Sequence, residues 1–244
     1  MSFKMPYERS VIVACDVRSL TKLQEVVRAT SGVFGIGGYK VGMTLVIRYG
    51  LRQVVSVIQD TRAIPLPIIY DHQKGGTDIP ELGPEFVLAV KDGGADAVIL
   101  FPFGGCETER QWIQACRKEG LGVFVGGHMT QKGFLCSEGG FISDEAPSRI
   151  YETALALDVN HFIVPGNKPE LVAAYRKQMT NFKRDGSFVL AAPGFVKQGG
   201  EITETGKVAG ESWHAIVGSA IYGKSTEEEM RASARELVSQ IIAE

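Results

Sequence analysis

Four charged residues of alternating sign could do chemistry as a group. They are Lys40, Asp71, Lys74 and Asp78. Charges brought together out of water must pair, because an unpaired buried charge is costly or changes its protonation state. An alternating array meets that condition, and an ammonium held in it can stabilise developing negative charge and donate a proton. The four residues therefore predict one charged site whose members neutralise one another and in which such chemistry is possible.

Two glycine-rich segments near the end of the chain could bind phosphate. The first, PGFVKQGG, covers residues 193–200 and supplies Pro193, Gly194 and Gly199, and the second, VGSAIYG, contains Gly218 and Ser219. Glycine-rich backbone exposes N–H groups and lets a phosphate approach closely. The pair of segments predicts a phosphorylated ligand.

Eight short apolar runs must position these residues. They are rich in Val, Ile and Phe and do not alternate, which is typical of strands buried on both faces of a parallel sheet. The runs cover residues 11–15, 38–41, 67–70, 97–101, 122–125, 161–164, 188–192 and 215–217. Amphipathic segments lie between them and predict helices, with Pro84, Pro147 and Pro169 at first-turn positions and Thr226 with Glu229 as a capping box.

The alternation of strands and helices predicts one α/β domain. Eight units in 244 residues match a (β/α)8 TIM barrel, which typically takes about 250 residues. We expect residues 1–244 to form a single barrel with a parallel eight-stranded core. An open doubly wound sheet is the alternative, but Lys40 stands where the third glycine of its fingerprint should be. In a barrel the active site lies at the carboxyl ends of the strands, where the residues above fall.

The composition disfavours several classes of partner. Lys plus Arg number 26 against 28 for Asp plus Glu, so a formal charge of -2 offers no general attraction to nucleic acid or anionic lipid. No apolar stretch approaches the roughly 18 to 20 residues needed to cross a bilayer, and no signal-peptide core is evident. We expect a cytoplasmic protein. Its four cysteines form no CxxC pair, so we expect them to be reduced and to bind no zinc.

The order and spacing of several motifs resemble the orotidine 5'-phosphate decarboxylase family across nearly the whole chain. VIVACD ends in Asp16, similar to the family aspartate that holds the ribose hydroxyls, and YKVG places Lys40 at the second-strand lysine. DHQKGGTDIP resembles the family's Asp, Lys, Asp-Ile-Pro signature. GHMT, with Met129 and Thr130, resembles the loop that reads the pyrimidine edge. PGFVKQGG and VGSAIY resemble the two phosphate segments, with Gln198 on the phosphate.

The resemblance implies a carboxy-lyase that converts orotidine 5'-phosphate to uridine 5'-phosphate in de novo pyrimidine biosynthesis, without metal or organic cofactor. Lys74 would stabilise and protonate the carbanion left at carbon six of the pyrimidine, and Asp71 would lie against the substrate carboxylate. Lys40 and Asp78 would hold that pair. The resemblance also implies a homodimer in which Asp78 is shared across the interface.

Two positions depart from the family pattern. The first is the third-strand signature: both intervals, from Asp71 to Lys74 and from Lys74 to Asp78, are one residue longer than in the usual DxKxxD, so we expect a bulge or an early end in the third strand. His72, two residues before Lys74, rivals Asp71 for the position of the catalytic aspartate. Ser219 stands where the family commonly has an arginine on the phosphate.

Two other functions are open on the same barrel. The first is a magnesium-dependent sugar-phosphate decarboxylase or aldolase, whose members carry an acidic metal ligand where Lys40 stands. A lysine repels magnesium, which argues against that activity. The second is a phosphate-ligand sensor without catalysis, and the complete charge array argues against it.

Overall fold

The structure, a computed structural model, describes residues 3–183, 185–196 and 198–242, apart from the side chains of Gln73 and Lys74. Eight strands form a closed parallel barrel in chain order, and the last strand pairs with the first. The strands are Arg9–Ala14 (β1), Ile36–Gly42 (β2), Ile68–Gly75 (β3), Ala97–Leu100 (β4), Gly122–Gly126 (β5), His161–Ile163 (β6), Val189–Ala192 (β7) and Trp213–Val217 (β8). The predicted (β/α)8 barrel is confirmed.

Helices follow the strands and surround the barrel. They are Leu20–Thr30 (α1), Met43–Tyr49 (α2), Leu51–Thr61 (α3), Gly83–Asp92 (α4), Cys106–Lys118 (α5), Ala146–Ala156 (α6), Pro169–Phe182 (α7), Ile202–Ala209 (α8), Ser219–Tyr222 (α9) and Glu227–Ile242 (α10). Two short 3-10 turns, Pro80–Leu82 and Cys136–Glu138, lie in the connections after β3 and β5. In the part of the chain that the structure describes, no helix is long and apolar enough to cross a membrane.

The core has two layers because alternate strand residues face opposite sides of the sheet. In β1, Ile12 and Ala14 belong to the cluster inside the barrel, whereas Val11 and Val13 belong to the larger cluster between strands and helices. Phe124 and Ile216 extend the inner cluster across the barrel. The interior is therefore packed with side chains, and a cavity can form only at an end of the barrel.

The helix-start signals of the sequence are confirmed. Pro84, Pro147 and Pro169 each lie in the first two positions of a helix. Before α10, the Glu229 backbone N–H donates to the Thr226 hydroxyl and the Thr226 N–H donates to the Glu229 carboxylate, both at 3.1 Å. These reciprocal bonds form the predicted capping box.

The structure differs from the sequence prediction in the details of two connections. The segment after β2 forms two helices instead of one, because Gly50 adopts a φ of 77° and ends α2 where α3 begins. This left-handed conformation interrupts a helix and is readily adopted only by glycine. The third strand continues to Gly75, five residues beyond the predicted end at residue 70.

Two histidines, one half-buried and one buried, lie at the amino ends of the strands. His161 begins β6 and contacts the rings of Phe3 and Phe124 at centroid distances of 5.4 and 4.8 Å. His214 in β8 lies 2.8 Å from the Ser10 hydroxyl through Nδ1. Burial lowers the pKa of His161 to about 4 and, with a smaller effect of His161, lowers the pKa of His214 to about 3. Both rings are therefore neutral in the fold at neutral pH.

We predict that the free energy of unfolding decreases as the pH falls from 6.5 towards 4. Unfolded histidines bind protons near pH 6.5, whereas folded His161 binds one only near pH 4, so acid favours the unfolded chain in this window. For His161 alone the loss is about 3 kcal/mol. His161→Phe keeps an aromatic ring but cannot titrate, so its stability should depend less on pH in urea denaturation. Equal pH dependence in the two proteins would contradict this account.

Candidate active site

A cavity of about 360 Å³ opens at the carboxyl ends of the strands. It lies between loops from opposite ends of the sequence, because barrel closure places β1 next to β8. Most of the predicted site residues line it: Asp16, Lys40, Asp71, Met129, Thr130, Pro193, Gly194, Gln198, Gly218 and Ser219. The fold therefore gathers charged, pyrimidine-edge and phosphate candidates around one space.

Strand register explains why three of the charged residues meet. Ala14 pairs with Lys40, and Lys40 pairs with Ile69 on the next strand. Alternate residues of a strand share a face, so Asp71, two residues beyond Ile69, projects to the same side as Lys40. Asp16 follows Ala14 by the same interval and lies on the same cavity wall.

Lys40 lies between two carboxylates. Its Nζ donates to Asp16 Oδ1 at 3.2 Å and to Asp71 Oδ2 at 3.3 Å. Lys40 and Asp71 are only 7% and 5% exposed, whereas the Asp16 side chain is 39% exposed. Burial disfavours the charged amine, but Asp71 and Asp16 outweigh this effect and raise the pKa of Lys40 above its ordinary value. Lys40 is thus held as an ammonium.

The third strand contains the irregularity that the wide spacing predicts. Asp71 pairs with Ile99 of β4, but the next paired residue of β3 is Gly75, opposite Leu100. Three residues of β3 therefore bulge out of the ladder between these pairs. The backbone of Lys74 lies in this bulge, while the predicted role of its side chain falls outside the described residues.

His72 lies outside the cavity. It is exposed, its Nδ1 contacts the Tyr70 hydroxyl, and its ring meets that of Phe86 in α4 at 5.6 Å. Asp71 lines the cavity instead. The geometry therefore favours Asp71 over His72 for the position of the catalytic aspartate.

Two predicted residues do not line the cavity of this chain. Asp78 is exposed, and its Oδ1 accepts a hydrogen bond from the Ile79 N–H at 2.7 Å. Gly199 is also exposed and turns the loop with a φ of 82°. The predicted four-charge array is therefore represented in this cavity by Lys40 and Asp71, together with Asp16.

The loop after β7 is a compact turn closed by its own backbone. The Val196 N–H donates to the Gly200 carbonyl at 3.0 Å, and the Gly200 N–H donates to the Gly194 carbonyl at 3.1 Å. Gly194 has a φ of 109°, and a Cβ there would lie 3.1 Å from the Thr130 methyl group. Val196 is held at a φ of 61°, a strained conformation for a β-branched residue. Such strain is typical of functional loops.

The side of the cavity that is predicted to bind phosphate has no arginine among its described lining residues. Ser219 begins α9 directly after β8 and lines the cavity with Gly218. Gln198 and Gly194 face them from the other loop. Lys197, which could supply charge, lies outside the described residues.

His128 lines the cavity but is not placed to act as a base. Its Nε2 lies 3.1 Å from Lys168 Nζ, and its Nδ1 lies 2.7 Å from the Tyr175 hydroxyl. An ammonium can only donate, so Nε2 accepts and the ring hydrogen is on Nδ1. Burial and the Lys168 charge lower the pKa of His128 to about 4. Both nitrogens of this neutral ring are engaged by protein groups.

Metal-ligand side chains are dispersed across the described ranges. No group of three or more His, Cys, Asp or Glu side chains lies there close enough to hold a metal ion. The two carboxylates of the cavity, Asp16 and Asp71, have Lys40 between them. Its ammonium would repel a cation from this position. A reaction without metal or cofactor stays a prediction.

Sequence reasoning assigned no role to several residues that line the cavity. Ile99, Phe101, Ile163 and Ile216 form its apolar floor, and Tyr222 lies at its rim. Burial and the Asp16 charge raise the pKa of Tyr222. The floor could have been found from the inward-facing strand positions, because these alternate with the positions under the helices.

Comparisons with known proteins agree on one family. Residues 9–234 match the model of the Orotidine 5'-phosphate decarboxylase / HUMPS family. The chain is 29% identical over 243 residues to orotidine 5'-phosphate decarboxylase of Methanosarcina barkeri, covering 98% of each chain. It is 28% identical to the enzyme of the same name from Pyrococcus abyssi, covering 96% of this chain and 100% of the relative.

Solved structures share the fold. Orotidine 5'-phosphate decarboxylase from Pyrococcus horikoshii aligns with a TM-score of 0.74 at 23% identity, covering 95% of this chain and 99% of that one. The Methanocaldococcus jannaschii protein, complexed with the inhibitor BMP, aligns with a TM-score of 0.73 at 20% identity. That alignment covers 98% of this chain and 100% of the other.

We predict that Lys40→Gln lowers the free energy of unfolding by about 3 kcal/mol at neutral pH, because breaking a buried ion pair leaves carboxylates without their cation. Urea denaturation measures the loss. Lys22→Gln breaks a more exposed ion pair with Glu25 and serves as control; it should cost less than about 1 kcal/mol. If Lys40→Gln lowers the free energy of unfolding as little as Lys22→Gln does, the assigned ion pairs of Lys40 are refuted.

Proposed function

The chain belongs to the Orotidine 5'-phosphate decarboxylase / HUMPS family, and from this premise we propose the route by which it decarboxylates orotidine 5'-phosphate to uridine 5'-phosphate in pyrimidine biosynthesis. The observation that carries the proposal is the buried Lys40 ammonium between Asp16 and Asp71 at the cavity wall. This arrangement fixes the Asp71 carboxylate, before substrate binds, beside the position that the reacting group will take. Preorganised charge of this kind is a major source of catalytic rate enhancement.

The substrate is assigned one orientation in the cavity. Its phosphate binds Gly194, Gln198, Gly218 and Ser219, and its pyrimidine edge contacts Met129 and Thr130. Asp16 holds the ribose hydroxyls between these two ends. Pro193 shapes the same wall, and Gly199 turns the phosphate loop. This orientation directs the pyrimidine carboxylate towards Asp71 and the apolar floor.

The chemical step breaks the bond between carbon six and the carboxylate carbon. The electron pair of that bond stays on carbon six, and carbon dioxide leaves. The Lys74 ammonium stabilises this negative charge and then transfers a proton to carbon six, which yields uridine 5'-phosphate. The resulting lysine amine regains its proton from water, so no redox or metal step is needed to balance the reaction.

Asp71 acts on the substrate carboxylate and positions Lys74. Two like charges about 4 Å apart repel by about 4 kcal/mol at an effective dielectric constant of 20. Loss of carbon dioxide removes that repulsion. Ile99 and Phe101 in the floor suit a neutral product better than a carboxylate. Asp71 and the floor therefore favour departure of the carboxyl group.

Phosphate binding supports the chemical step from a distance. Phosphate binding closes the loop of residues 195–201 over the substrate, so binding energy far from carbon six orders the reacting end. Ser219 stands where the family commonly has an arginine, so backbone N–H groups and Gln198 bind the phosphate in its place, and Lys197 contributes charge.

A cytoplasmic location stays a prediction from the sequence.

The magnesium-dependent sister activity is less compatible with the site. Its members carry an acidic metal ligand where Lys40 stands, and here that ammonium occupies the space between Asp16 and Asp71. Metal binding would have to displace a buried ion pair. No observation in the cavity favours this second function.

The proposed active form is a homodimer with a shared site. Asp78 is exposed and lies outside its own chain's cavity. The Thr108 hydroxyl donates to the Asp78 carbonyl at 2.9 Å, and the Trp112 indole donates to the Ile79 carbonyl at 3.1 Å. These contacts fix the backbone, and the exposed Asp78 carboxylate, which accepts one hydrogen bond from the Ile79 N–H, is proposed to reach the charge array of a partner subunit.

We predict that Lys74→Ala abolishes decarboxylation, with a loss of roughly a thousandfold or more, because one group supplies both charge and proton. Binding of uridine 5'-phosphate should remain, since its phosphate and ribose contacts lie elsewhere. Absorbance of the pyrimidine measures turnover, and calorimetry measures binding. Lys91→Ala removes a surface lysine paired with Glu119 and should keep full activity. Undiminished turnover of Lys74→Ala would rule out the assigned acid.

A mixing experiment tests the shared site. Asp78→Asn and Lys74→Ala should each be inactive alone, but a mixed dimer places both substitutions in one site and leaves the other intact. Random reassociation of equal amounts gives half mixed dimers, so activity should return to about one quarter of wild type. If mixing restores no activity, Asp78 does not act in a partner's site.

A further inference from the structure

A second cavity lies outside the barrel, between α5 and α6, with a volume of about 260 Å³. Its walls are mainly apolar and include Phe103, Ile142 and Ile150. Phe141, which is fully exposed, stands beside them. No described residue lines both this cavity and the catalytic one. It is therefore a separate space, with its own chemistry.

One carboxyl group is buried in the wall of this cavity. Glu109, in the first turns of α5, is only 2% exposed. Its Oε1 is shielded from solvent and has no hydrogen-bond partner among the described residues. Burial raises the pKa of Glu109 to about 8, and the nearby Arg110 only partly offsets this effect. Glu109 is thus a buried acid whose Oε1 lacks a hydrogen-bond partner among the described residues.

Packing alone does not explain this glutamate. A buried polar atom without a hydrogen bond costs roughly 1 to 3 kcal/mol, and an apolar residue would fill the same wall without that cost. Glu107, two residues earlier in the same helix, shows the ordinary arrangement: it is exposed and accepts hydrogen bonds from Gln111 and Arg110. A buried polar group that stays unsatisfied calls for an explanation, and a partner that binds from outside the chain is one.

We propose that this cavity is an accessory binding site for a small molecule with an apolar body and one ammonium group, which pairs with Glu109. An ionised carboxylate only accepts hydrogen bonds, and an ammonium supplies both donors and the opposite charge. The apolar body packs against Phe103 and Ile150. The other ionisable groups near the carboxyl are Arg110 on α5, and Arg149 and the Cys106 thiol in the cavity lining. The ligand cation therefore sits at the buried Glu109 end, away from the exposed Arg149.

Benzylamine is a suitable probe, because it carries an ammonium on an aromatic body. Titration calorimetry at neutral pH, in two buffers of different ionisation enthalpy, measures both affinity and proton release. Pairing converts the neutral acid to a carboxylate, so binding should release about one proton per site. Benzyl alcohol, which has the same body without the charge, should bind without proton release and more weakly.

Two variants locate the effect. Glu109→Gln keeps the size of the side chain but cannot ionise, so benzylamine affinity should fall by about tenfold or more and proton release should vanish. Glu107→Gln, on the same helix but outside the cavity, should leave both unchanged. Decarboxylation by each variant verifies its fold.

The proposal is overturned if wild-type protein shows no saturable benzylamine binding, if binding releases no proton, or if Glu109→Gln binds as well as wild type. Proton release by the wild-type protein decides the matter even if Glu109→Gln fails to fold. These results are independent of the decarboxylase activity, because the two cavities share no described lining residue.

Discussion

The buried ion pairs of Lys40 are the interaction on which the site depends. An ammonium within a barrel strand is tolerated only if carboxylates reach it, and the register of β1, β2 and β3 brings Asp16 and Asp71 to 3.2 and 3.3 Å from Nζ. The same pairing fixes the orientation of Asp71, which the proposed mechanism requires. Removing the cation would therefore affect both the stability of the barrel mouth and the charge presented to substrate.

Two irregularities adapt the barrel to this chemistry. Asp71 faces the cavity by regular alternation along β3, and the bulge that follows it lets the chain continue towards Asp78 with a wider spacing. On the opposite side of the mouth, the strained turn at Val196 brings glycine backbone to the phosphate end of the cavity. The regular strands make the barrel rigid, and the two irregularities shape the cavity at its mouth. The proposed reaction and the proposed phosphate binding are thus assigned to opposite walls of the cavity. Strand pairing around the barrel connects the two walls.

Much of this organisation could be predicted from local sequence patterns. Apolar runs and first-turn prolines locate all eight strands and several helices, because burial and capping are encoded within a few residues. The choice between Asp71 and His72 could not be predicted, since it depends on how many residues the bulge contains. Exposure of Asp78 also follows from tertiary structure, and its partner belongs to a second chain under the proposed dimer. Glu109 gave no sequence signal, because only packing reveals that it is buried without a partner.

The central claim is that fixed protein charges decarboxylate the substrate without help from a metal ion. The most direct test follows the ultraviolet absorbance of orotidine 5'-phosphate with purified protein in excess chelator, because the pyrimidine spectrum changes when the carboxylate leaves. The account predicts rapid conversion, with a rate that does not change when magnesium replaces the chelator. Conversion that appears only with magnesium, or turnover of a sugar phosphate instead, would contradict it.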